Sequence, residues 1–242
     1  MVKQVITLLG GRVRFIHAPE VYKPTSDAVW VASAVETNTQ SLFFEAGFGT
    51  GAAGLCLIER YTKSRLIGLE LQTPFVRMAH SNILLNNRGK NISLVQGDVR
   101  TSPFHATFMA DHSLANPPFY TTERGFVKQR PALHTAHGLT EAPLTDWLDI
   151  LYAHTRKGGT ISLINHTDNL DELLNFAEKY GLQTDCVHLI TSEKRPAKRA
   201  IMRYHVGITG GVTFYTVKAY DPQVSEFVLR RAGSLWDVVE KA

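Results

Sequence analysis

The sequence is poor in cysteine and contains no long apolar segment. Only Cys56 and Cys186 occur among its 242 residues, so we expect neither a disulfide framework nor a cysteine-type zinc site, and a reducing compartment fits best. No run approaches the roughly 20 apolar residues of a membrane-spanning helix. The apolar run before Gly10 is too short for a signal peptide. These absences predict a cytoplasmic protein without a membrane segment.

The chain also lacks a strong charge imbalance and a recognisable metal site. It has 26 lysines and arginines against 22 acids, a net charge of +4 and a pI near 9.1. This mildly basic balance is compatible with a polyanionic partner and does not require one. His134 and His137 have no acid or cysteine at a suitable spacing, so we expect them to be loop histidines and expect no bound metal.

Strand and helix patterns alternate from residue 41 onwards, after a hairpin around Gly10-Gly11 and a helix beginning near Ser26. This pattern predicts an α/β fold: a doubly wound, mostly parallel seven-stranded sheet with an antiparallel piece at its end. We divide the chain into a hairpin-and-helix extension, 1–40, and one α/β domain, 41–242. The predicted strands are 41–46, 65–70, 91–96, 110–116 and 158–165, followed by β-rich runs at 199–206 and 212–219.

The first strand of the alternation ends in a glycine-rich loop with the pattern E-x-G-x-G-x-G. Its members are Glu45, Gly47, Phe48, Gly49 and Gly51. Glycines permit a tight turn and let a ligand approach bare backbone at the start of the next helix. Such a loop alone is weak evidence, because glycine-rich connections are common in α/β proteins.

Polar residues follow the next three strands. Glu70 comes 21 positions after Gly49, where an acid accepts both ribose hydroxyls in dinucleotide-binding domains. Asp98 can accept from an adenine amine while Val99 packs on the ring. Asn116 follows the fourth strand. Because the carboxyl ends of parallel strands share one sheet edge, together these residues predict a nucleoside site there.

The segment Asn116-Pro117-Pro118-Phe119 suits methylation of a planar amine, whose delocalised lone pair makes it a poor nucleophile. Asn116 offers a side-chain oxygen to one N–H. The Pro117 carbonyl, held extended by Pro118, offers a second acceptor. Phe119 can stack on the substrate. We therefore predict that positioning carries most of the rate, with no strong general base.

Two nucleoside cofactors fit the sheet edge. A nicotinamide dinucleotide would use the glycine loop for its pyrophosphate but has no evident use for the segment after Asn116. S-adenosylmethionine carries adenosine and an amino-acid tail without phosphate. Glu45 would help to hold its positive amino group through the loop or water. We therefore favour S-adenosylmethionine.

The glycine loop, the acid of GLELQ, QGD and NPPF, in this order, resemble a class I S-adenosylmethionine-dependent amino-methyltransferase. The resemblance implies a Rossmann-like methyltransferase domain. It also implies a set of cofactor contacts: Glu45, Gly47, Phe48, Gly49, Gly51, Glu70, Leu71, Asp98, Val99 and Asn116. Asn116, Pro117 and Phe119 would be the catalytic residues, and Phe119 and Tyr120 would contact the substrate.

The segments LLGGRVRF and YKPTSDAVWVASAV further resemble the bacterial valine-tRNA adenine-N6 methyltransferases. This resemblance implies methylation of the adenine on the 3′ side of a tRNA anticodon. It also implies that Lys23, Thr25, Ser26 and Asp27 close over the methionine part of the cofactor. This sequence departs from the usual motifs of the family at two points. It has NPPF in place of the commoner NPPY, and Glu45 where aspartate is usual.

Two basic runs predict contacts with RNA phosphates. Lys194, Arg195, Lys198, Arg199 and Arg203 fall within one ten-residue span, and Arg124, Lys128 and Arg130 follow the NPPF segment. Either run alone would more often be a solvated face. Their association with a methyltransferase motif favours tRNA as the partner.

Other functions stay open at this stage. Related amino-methyltransferases act on ribosomal guanine or adenine or on protein glutamine, and a non-catalytic RNA-binding relative could keep the fold. The short segment before the glycine loop counts against the glutamine enzymes, which carry a helical domain there. The intact NPPF favours an enzyme, because binding alone has no use for it.

Overall fold

The computed structural model describes residues 4–17, 24–118 and 142–242, which form eleven strands and six α-helices. The strands are β1 Gln4–Leu8, β2 Val13–His17, β3 Leu42–Ala46, β4 Arg65–Glu70, β5 Ile92–Gln96, β6 Ala110–Ala115, β7 Thr155–His166, β8 Leu182–Ile190, β9 Arg199–Thr209, β10 Val212–Lys218 and β11 Glu240–Lys241. The helices are α1 Ser26–Ala34, α2 Ala52–Arg60, α3 Thr73–Leu85, α4 Leu144–Ala153, α5 Leu170–Tyr180 and α6 Pro222–Ser225.

Nine of the described strands form one sheet, in the order β11-β10-β8-β9-β7-β6-β3-β4-β5. The strands β5, β4, β3, β6 and β7 are parallel to one another. β9 runs antiparallel between β7 and β8. The predicted α/β fold class, a mostly parallel sheet with an antiparallel part, is confirmed.

The end of the sheet differs from the predicted seven strands by two additional strands, β8 and the short β11, which pairs with β10 at the edge. Leu182–Ile190 was not among the predicted strands, yet it forms β8 and pairs with both β9 and β10. The runs predicted at 199–206 and 212–219 therefore lie on opposite sides of β8. Buried polar residues interrupt the apolar pattern of β8, notably Thr184 and Asp185. Arg203 and His205 satisfy the Asp185 carboxylate, an arrangement that the local pattern does not reveal.

The two faces of the sheet carry separate hydrophobic cores. Neighbouring residues of a strand point to opposite faces, so Phe43 joins one core and Phe44 the other. The first core includes residues of β2, α1, α2 and α3, and the second includes residues of α4 and α5. This two-sided burial explains why the central strands are almost continuously apolar.

The hairpin of β1 and β2 is attached to the end of the third helix, α3, through two asparagine side chains. Asn82 is fully buried and accepts a hydrogen bond from the Ile16 backbone N–H at 2.8 Å. The same side chain donates to the Thr50 carbonyl at 3.0 Å. Asn86 accepts from the Arg14 N–H at 2.8 Å. Asn82 therefore links the amino-terminal hairpin to the glycine loop.

The Phe48 ring is buried beneath the glycine loop and occupies space left by three glycines. A Cβ on Gly51 would lie 2.7 Å from Phe48 Cε1, and one on Gly68 would lie 2.7 Å from Phe48 Cγ. A Cβ on Gly54 would also overlap the ring. Neither Gly54 nor Gly68 has the positive φ that favours glycine, so their role is to leave room for this ring.

We expect Gly68→Ala to lower the free energy of unfolding by about 1–3 kcal/mol, because the added methyl overpacks the space beside Phe48. Gly89→Ala is the matched control, since its nearest neighbour would be 3.9 Å away, and it should change stability by no more than about 0.5 kcal/mol. Urea denaturation of the two variants measures the difference. Equal stabilities would contradict the proposed packing role of Gly68.

Candidate functional site

The strand register brings the predicted site segments to one edge of the sheet. Ala46, the last residue of β3, pairs with Leu69 of β4 and Ala115 of β6. Glu70 pairs with Gln96 of β5. These pairings bring four features to nearly the same level along the sheet, at the carboxyl ends of adjacent strands. They are the glycine loop, Glu70, the segment of Asp98, and Asn116.

The glycine loop owes its shape to backbone conformations that side chains disfavour. Gly47, Gly49 and Gly51 have φ angles of 70°, 56° and 96°, in the left-handed region. The Trp147 indole of α4 lies against Gly47, where a Cβ would overlap the ring. Sequence reasoning missed Trp147, because an aromatic residue on an amphipathic helix normally indicates core packing.

Glu70 connects the loop to the end of β4. One carboxylate oxygen accepts from the Gly49 N–H at 2.8 Å and the other from the Gln72 N–H at 2.7 Å. The residue is only 6% exposed, and burial raises the pKa of its carboxyl while these N–H groups oppose the rise. Each carboxylate oxygen has further acceptor capacity, so the group can also bind a ligand hydroxyl.

Glu45 lies beneath the loop and not at its surface. It is 2% exposed, and its Oε2 has no hydrogen-bond partner within the described ranges. Burial raises the pKa of Glu45 well above its usual value, and the nearby Glu70 charge contributes in the same direction. A ligand amino group would interact with Glu45 through the loop. The Phe48 side chain is also internal, so only its backbone can face a ligand.

Asp98 already has an ion-pair partner, Arg100, which the sequence-based prediction did not identify. Its carboxylate accepts from the Arg100 backbone N–H at 2.9 Å and forms an ion pair with the Arg100 guanidinium. Hydrogen bonding to Arg100 lowers the pKa of Asp98. Val99 is half-buried against the α4 and α5 core, and the Leu71 carbonyl accepts from the Gln96 amide at 3.3 Å. An adenine amine would share Asp98 with Arg100.

The described chain includes only the first part of the NPPF segment. Asn116 is half-buried, Pro117 is buried and Pro118 is exposed. Several predicted residues lie outside the described ranges: Lys23, Phe119, Tyr120, Arg124, Lys128, Arg130, His134 and His137.

The start of α1 contacts the basic run at the start of β9. Thr25 and Ser26 are exposed, whereas the Asp27 carboxylate accepts from Arg199 Nε at 3.2 Å. Sequence reasoning assigned Asp27 to the cofactor and Arg199 to the RNA. The structure instead pairs the two residues with each other, which reduces the availability of Arg199 for a phosphate.

Arg203 is held by neighbours within the fold. Its guanidinium pairs with Asp185 and Glu36 and lies 3.3 Å from the centre of the Trp236 ring. The side chain is 16% exposed. Arg203 therefore has a structural role in place of the expected contact with RNA. The sequence does not show this role, because the partners of Arg203 are distant along the chain.

Three other cations of this run are exposed near the functional edge. Lys194, Arg195 and Lys198 lie in the connection between β8 and β9. Arg199 pairs with His166 at the end of β7, and the Lys198 carbonyl accepts from the Thr167 N–H at 3.2 Å. This connection therefore leaves the sheet at the same edge as Asn116. We refer to Lys194, Arg195 and Lys198 as the basic loop.

The described ranges contain no group of three or more histidine, cysteine or acidic side chains arranged to hold a metal ion. Within the same ranges, no helix has the length and apolar character needed to cross a membrane.

Comparison with known proteins gives one curated relative and many structural ones. The chain is 24% identical over 160 residues to a tRNA1(Val) (adenine(37)-N6)-methyltransferase of Glaesserella parasuis. The match spans 66% of this chain and 66% of that protein. No protein-family model matches the chain.

The solved structures share the fold at low sequence identity. An Agrobacterium tumefaciens protein described as a predicted O-methyltransferase has a TM-score of 0.65 and 19% identity, covering 83% of this chain and 94% of that one. A Listeria monocytogenes protein assigned to the class I S-adenosylmethionine-dependent methyltransferases has a TM-score of 0.59 and 11% identity, covering 86% and 70%. The chain therefore has the Rossmann-like fold of the class I methyltransferases, and its predicted resemblance to the tRNA1(Val) adenine-N6 methyltransferases is confirmed by a curated homologue.

Proposed function

We propose that this protein transfers a methyl group from S-adenosylmethionine to the exocyclic N6 amine of an adenine in tRNA. The observation that carries the proposal is the pairing of Ala46 with Ala115. This pairing sets the first glycine of the loop beside Asn116 on the neighbouring strand. The proposed cofactor loop and the proposed amine acceptor would thus be neighbours at the sheet edge, where α/β proteins bind ligands.

The charges around the loop favour S-adenosylmethionine over a dinucleotide. Glu45 and Glu70 are both buried at the loop, and each has a raised carboxyl pKa. Glu70 would suit the ribose of either cofactor, so the discrimination rests on Glu45. A positive ammonium near the loop would stabilise the ionised form of the buried Glu45 carboxyl, whereas a pyrophosphate would destabilise it. The left-handed glycines leave backbone accessible to the amino-acid tail, and Glu70 would accept from the ribose. S-adenosylmethionine supplies the methyl group on its positively charged sulfur.

Asn116 and Pro117 would orient the substrate amine. The Asn116 side-chain oxygen and the Pro117 carbonyl each accept one N–H, which localises the nitrogen lone pair and directs it toward the loop. With the amine so directed, its lone pair would accept the methyl as the carbon–sulfur bond of the cofactor breaks to leave a neutral thioether, and the alkylated nitrogen would then lose a proton to water. Positioning in a shielded site supplies the rate enhancement.

The proposal of tRNA as substrate is supported by the basic loop and by the curated relative. Lys194, Arg195 and Lys198 are exposed at the edge that holds Asn116, where they would contact the phosphates beside a bound base. Transfer of radiolabelled methyl to total tRNA, followed by nucleoside analysis, tests the assignment. N6-methyladenosine is the expected product. Label in another nucleoside or only in protein would identify a different substrate.

For the cofactor, we expect Glu70→Ala to weaken binding of S-adenosylhomocysteine at least roughly tenfold, because the ribose and the Gly49 N–H lose an acceptor. Glu59→Ala is the control, since Glu59 pairs with Arg88 on another part of the surface, and it should leave affinity unchanged. Calorimetry measures both variants. Tight NAD binding without any binding of S-adenosylhomocysteine would overturn the cofactor assignment.

For the chemistry, we expect Asn116→Ala to slow methyl transfer roughly 10²–10³-fold, since it removes one acceptor used in the transition state. Cofactor affinity and melting temperature should stay nearly unchanged. Phe119→Tyr is the control and should be close to neutral, because the aromatic ring provides the stacking. The measurement is single-turnover transfer at saturating cofactor, and a wild-type rate for Asn116→Ala would exclude the mechanism.

For the RNA surface, we expect replacement of Lys194, Arg195 and Lys198 by serine to reduce the salt dependence of tRNA binding. The slope of log K against log salt should fall in magnitude by about 2, as for three lost phosphate contacts. The control replaces Lys63, Arg65 and Lys90, three exposed cations near the starts of β4 and β5. Equal slopes for the two triple variants would show that the basic loop is only a solvated face.

A further inference from the structure

Three exposed arginines meet where the amino-terminal hairpin contacts the turn at residues 230–233. Arg12 follows the hairpin turn, and its Nη1 donates to the Arg231 carbonyl at 3.2 Å. Arg230 and Arg231 belong to the second turn, and each of their side chains is 71% exposed. Arg12 is exposed as well. We refer to Arg12, Arg230 and Arg231 as the arginine patch.

The turn that carries two of these arginines is held by a fourth one. Arg60, at the end of α2, donates from Nη1 to the Ala232 carbonyl at 2.7 Å and to the Gly233 carbonyl at 2.8 Å. Ala232 has a φ of 59°, in the left-handed region that side chains disfavour. Such a conformation persists only where surrounding contacts fix it. The turn therefore presents Arg230 and Arg231 from fixed backbone positions.

The fold neutralises the arginine patch only in part. Within the described part of the chain, the acid that pairs with it is Glu226, which lies 3.4 Å from Arg230 Nε and 3.6 Å from Arg231 Nε. Three cations against one acid leave a net positive charge, and Arg60 adds a further cation beneath the turn. Exposed ion pairs of this kind are weak. A phosphate group can therefore replace or join Glu226 as a partner of these arginines.

A cavity of about 460 Å³ joins the arginine patch to the start of α1. Its walls include Gly10 of the hairpin turn, Arg230, and Thr25 at the start of the helix. The start of α1 is also tied to the functional edge, because Asp27 pairs with Arg199, the first residue of β9. The basic loop immediately precedes Arg199. The arginine patch and the basic loop therefore flank the start of α1.

We infer that the arginine patch binds phosphates of the substrate RNA at nucleotides distant from the methylated base. This inference rests on the proposed function. An RNA with its adenine at Asn116 and phosphates at the basic loop carries a charge at every further nucleotide, so a folded RNA can reach across the start of α1. Arginine suits this role, because its planar guanidinium binds phosphate through two parallel hydrogen bonds. Contacts of this kind position an RNA and raise its affinity without reading its sequence.

The test compares two RNA probes, unfractionated tRNA and a short oligoadenylate, in the presence of saturating S-adenosylhomocysteine. The patch variant replaces all three arginines by serine. For tRNA, we expect the slope of log K against log salt to fall in magnitude by about 2, as for three lost phosphate contacts. Binding of the oligoadenylate should not change, because a short strand at the site does not reach the patch. The variant of the basic loop should weaken the binding of both probes.

A matched control replaces three exposed cations at the start of β7 and on α5, namely Arg156, Lys157 and Lys179. Two of them also pair with acids, as Arg230 and Arg231 do. The control variant should keep the wild-type slope. The melting temperature and the binding of S-adenosylhomocysteine report whether each variant is folded.

Glu226→Gln tests the same surface in the opposite direction. It removes the acid that competes with phosphate for Arg230 and Arg231, so tRNA binding at low salt should become roughly twofold or more tighter. Damage to the fold would not produce a gain in affinity. Unchanged or weaker tRNA binding by a folded Glu226→Gln variant would contradict the inference.

The outcomes distinguish this inference from the proposed function. Absence of methyl transfer to tRNA by the wild type would remove the proposed function itself, whatever the salt slopes. Transfer by the wild type together with equal slopes for the patch and control variants would overturn only the role of the arginine patch. An equal loss of affinity for tRNA and oligoadenylate in the patch variant would overturn it as well, because contacts with distant phosphates exist only for the longer RNA.

Discussion

The burial of the Phe48 ring under the glycine loop is the contact on which the candidate site depends. Gly51, Gly54 and Gly68 come from the loop, from α2 and from β4, and all three leave room for the same ring. Because the ring fills that space, the loop backbone lies above it with fixed curvature. Hydrogen bonds also hold the loop backbone: the Gly49 N–H donates to Glu70, and the Thr50 carbonyl accepts from Asn82.

Asn82 extends this constraint to the amino-terminal hairpin. Its side chain accepts a hydrogen bond from β2 and donates one to the glycine loop, so a displacement of the hairpin would also displace Thr50. The Asp27–Arg199 ion pair makes a second connection, from the start of α1 to the start of β9. The segments that the resemblance assigns to cofactor closure and to RNA binding are thus attached to the same sheet edge.

The charges at this edge are divided by sign. The acids Glu45 and Glu70 are buried at the loop, where a carboxylate is expensive to ionise and a positive ligand relieves the cost. The cations of the basic loop are exposed to water, where they can meet phosphates at little desolvation cost. Arg199 and Arg203, from the same stretch of sequence, are instead neutralised by acids of the fold. This division suits a cationic cofactor and a polyanionic substrate bound side by side.

The amino-acid sequence alone predicts the alternation of strands and helices, the glycine loop and the order of polar residues at the strand ends. These features are local, since they depend on apolar period, turn chemistry and the shared direction of parallel strands. It did not identify β8, because the buried Asp185 carboxylate interrupts the apolar pattern and is neutralised by Arg203 and His205 of β9, which are distant along the chain.

Folding in three dimensions sets which charged and aromatic side chains remain available to a ligand. It paired Asp27 with Arg199 and Asp98 with Arg100, and it put Trp147 against Gly47. Each of these outcomes depends on where a side chain meets a neighbour in space. Residue type and spacing along the chain carry no such information, because the contacts join elements that only folding brings together.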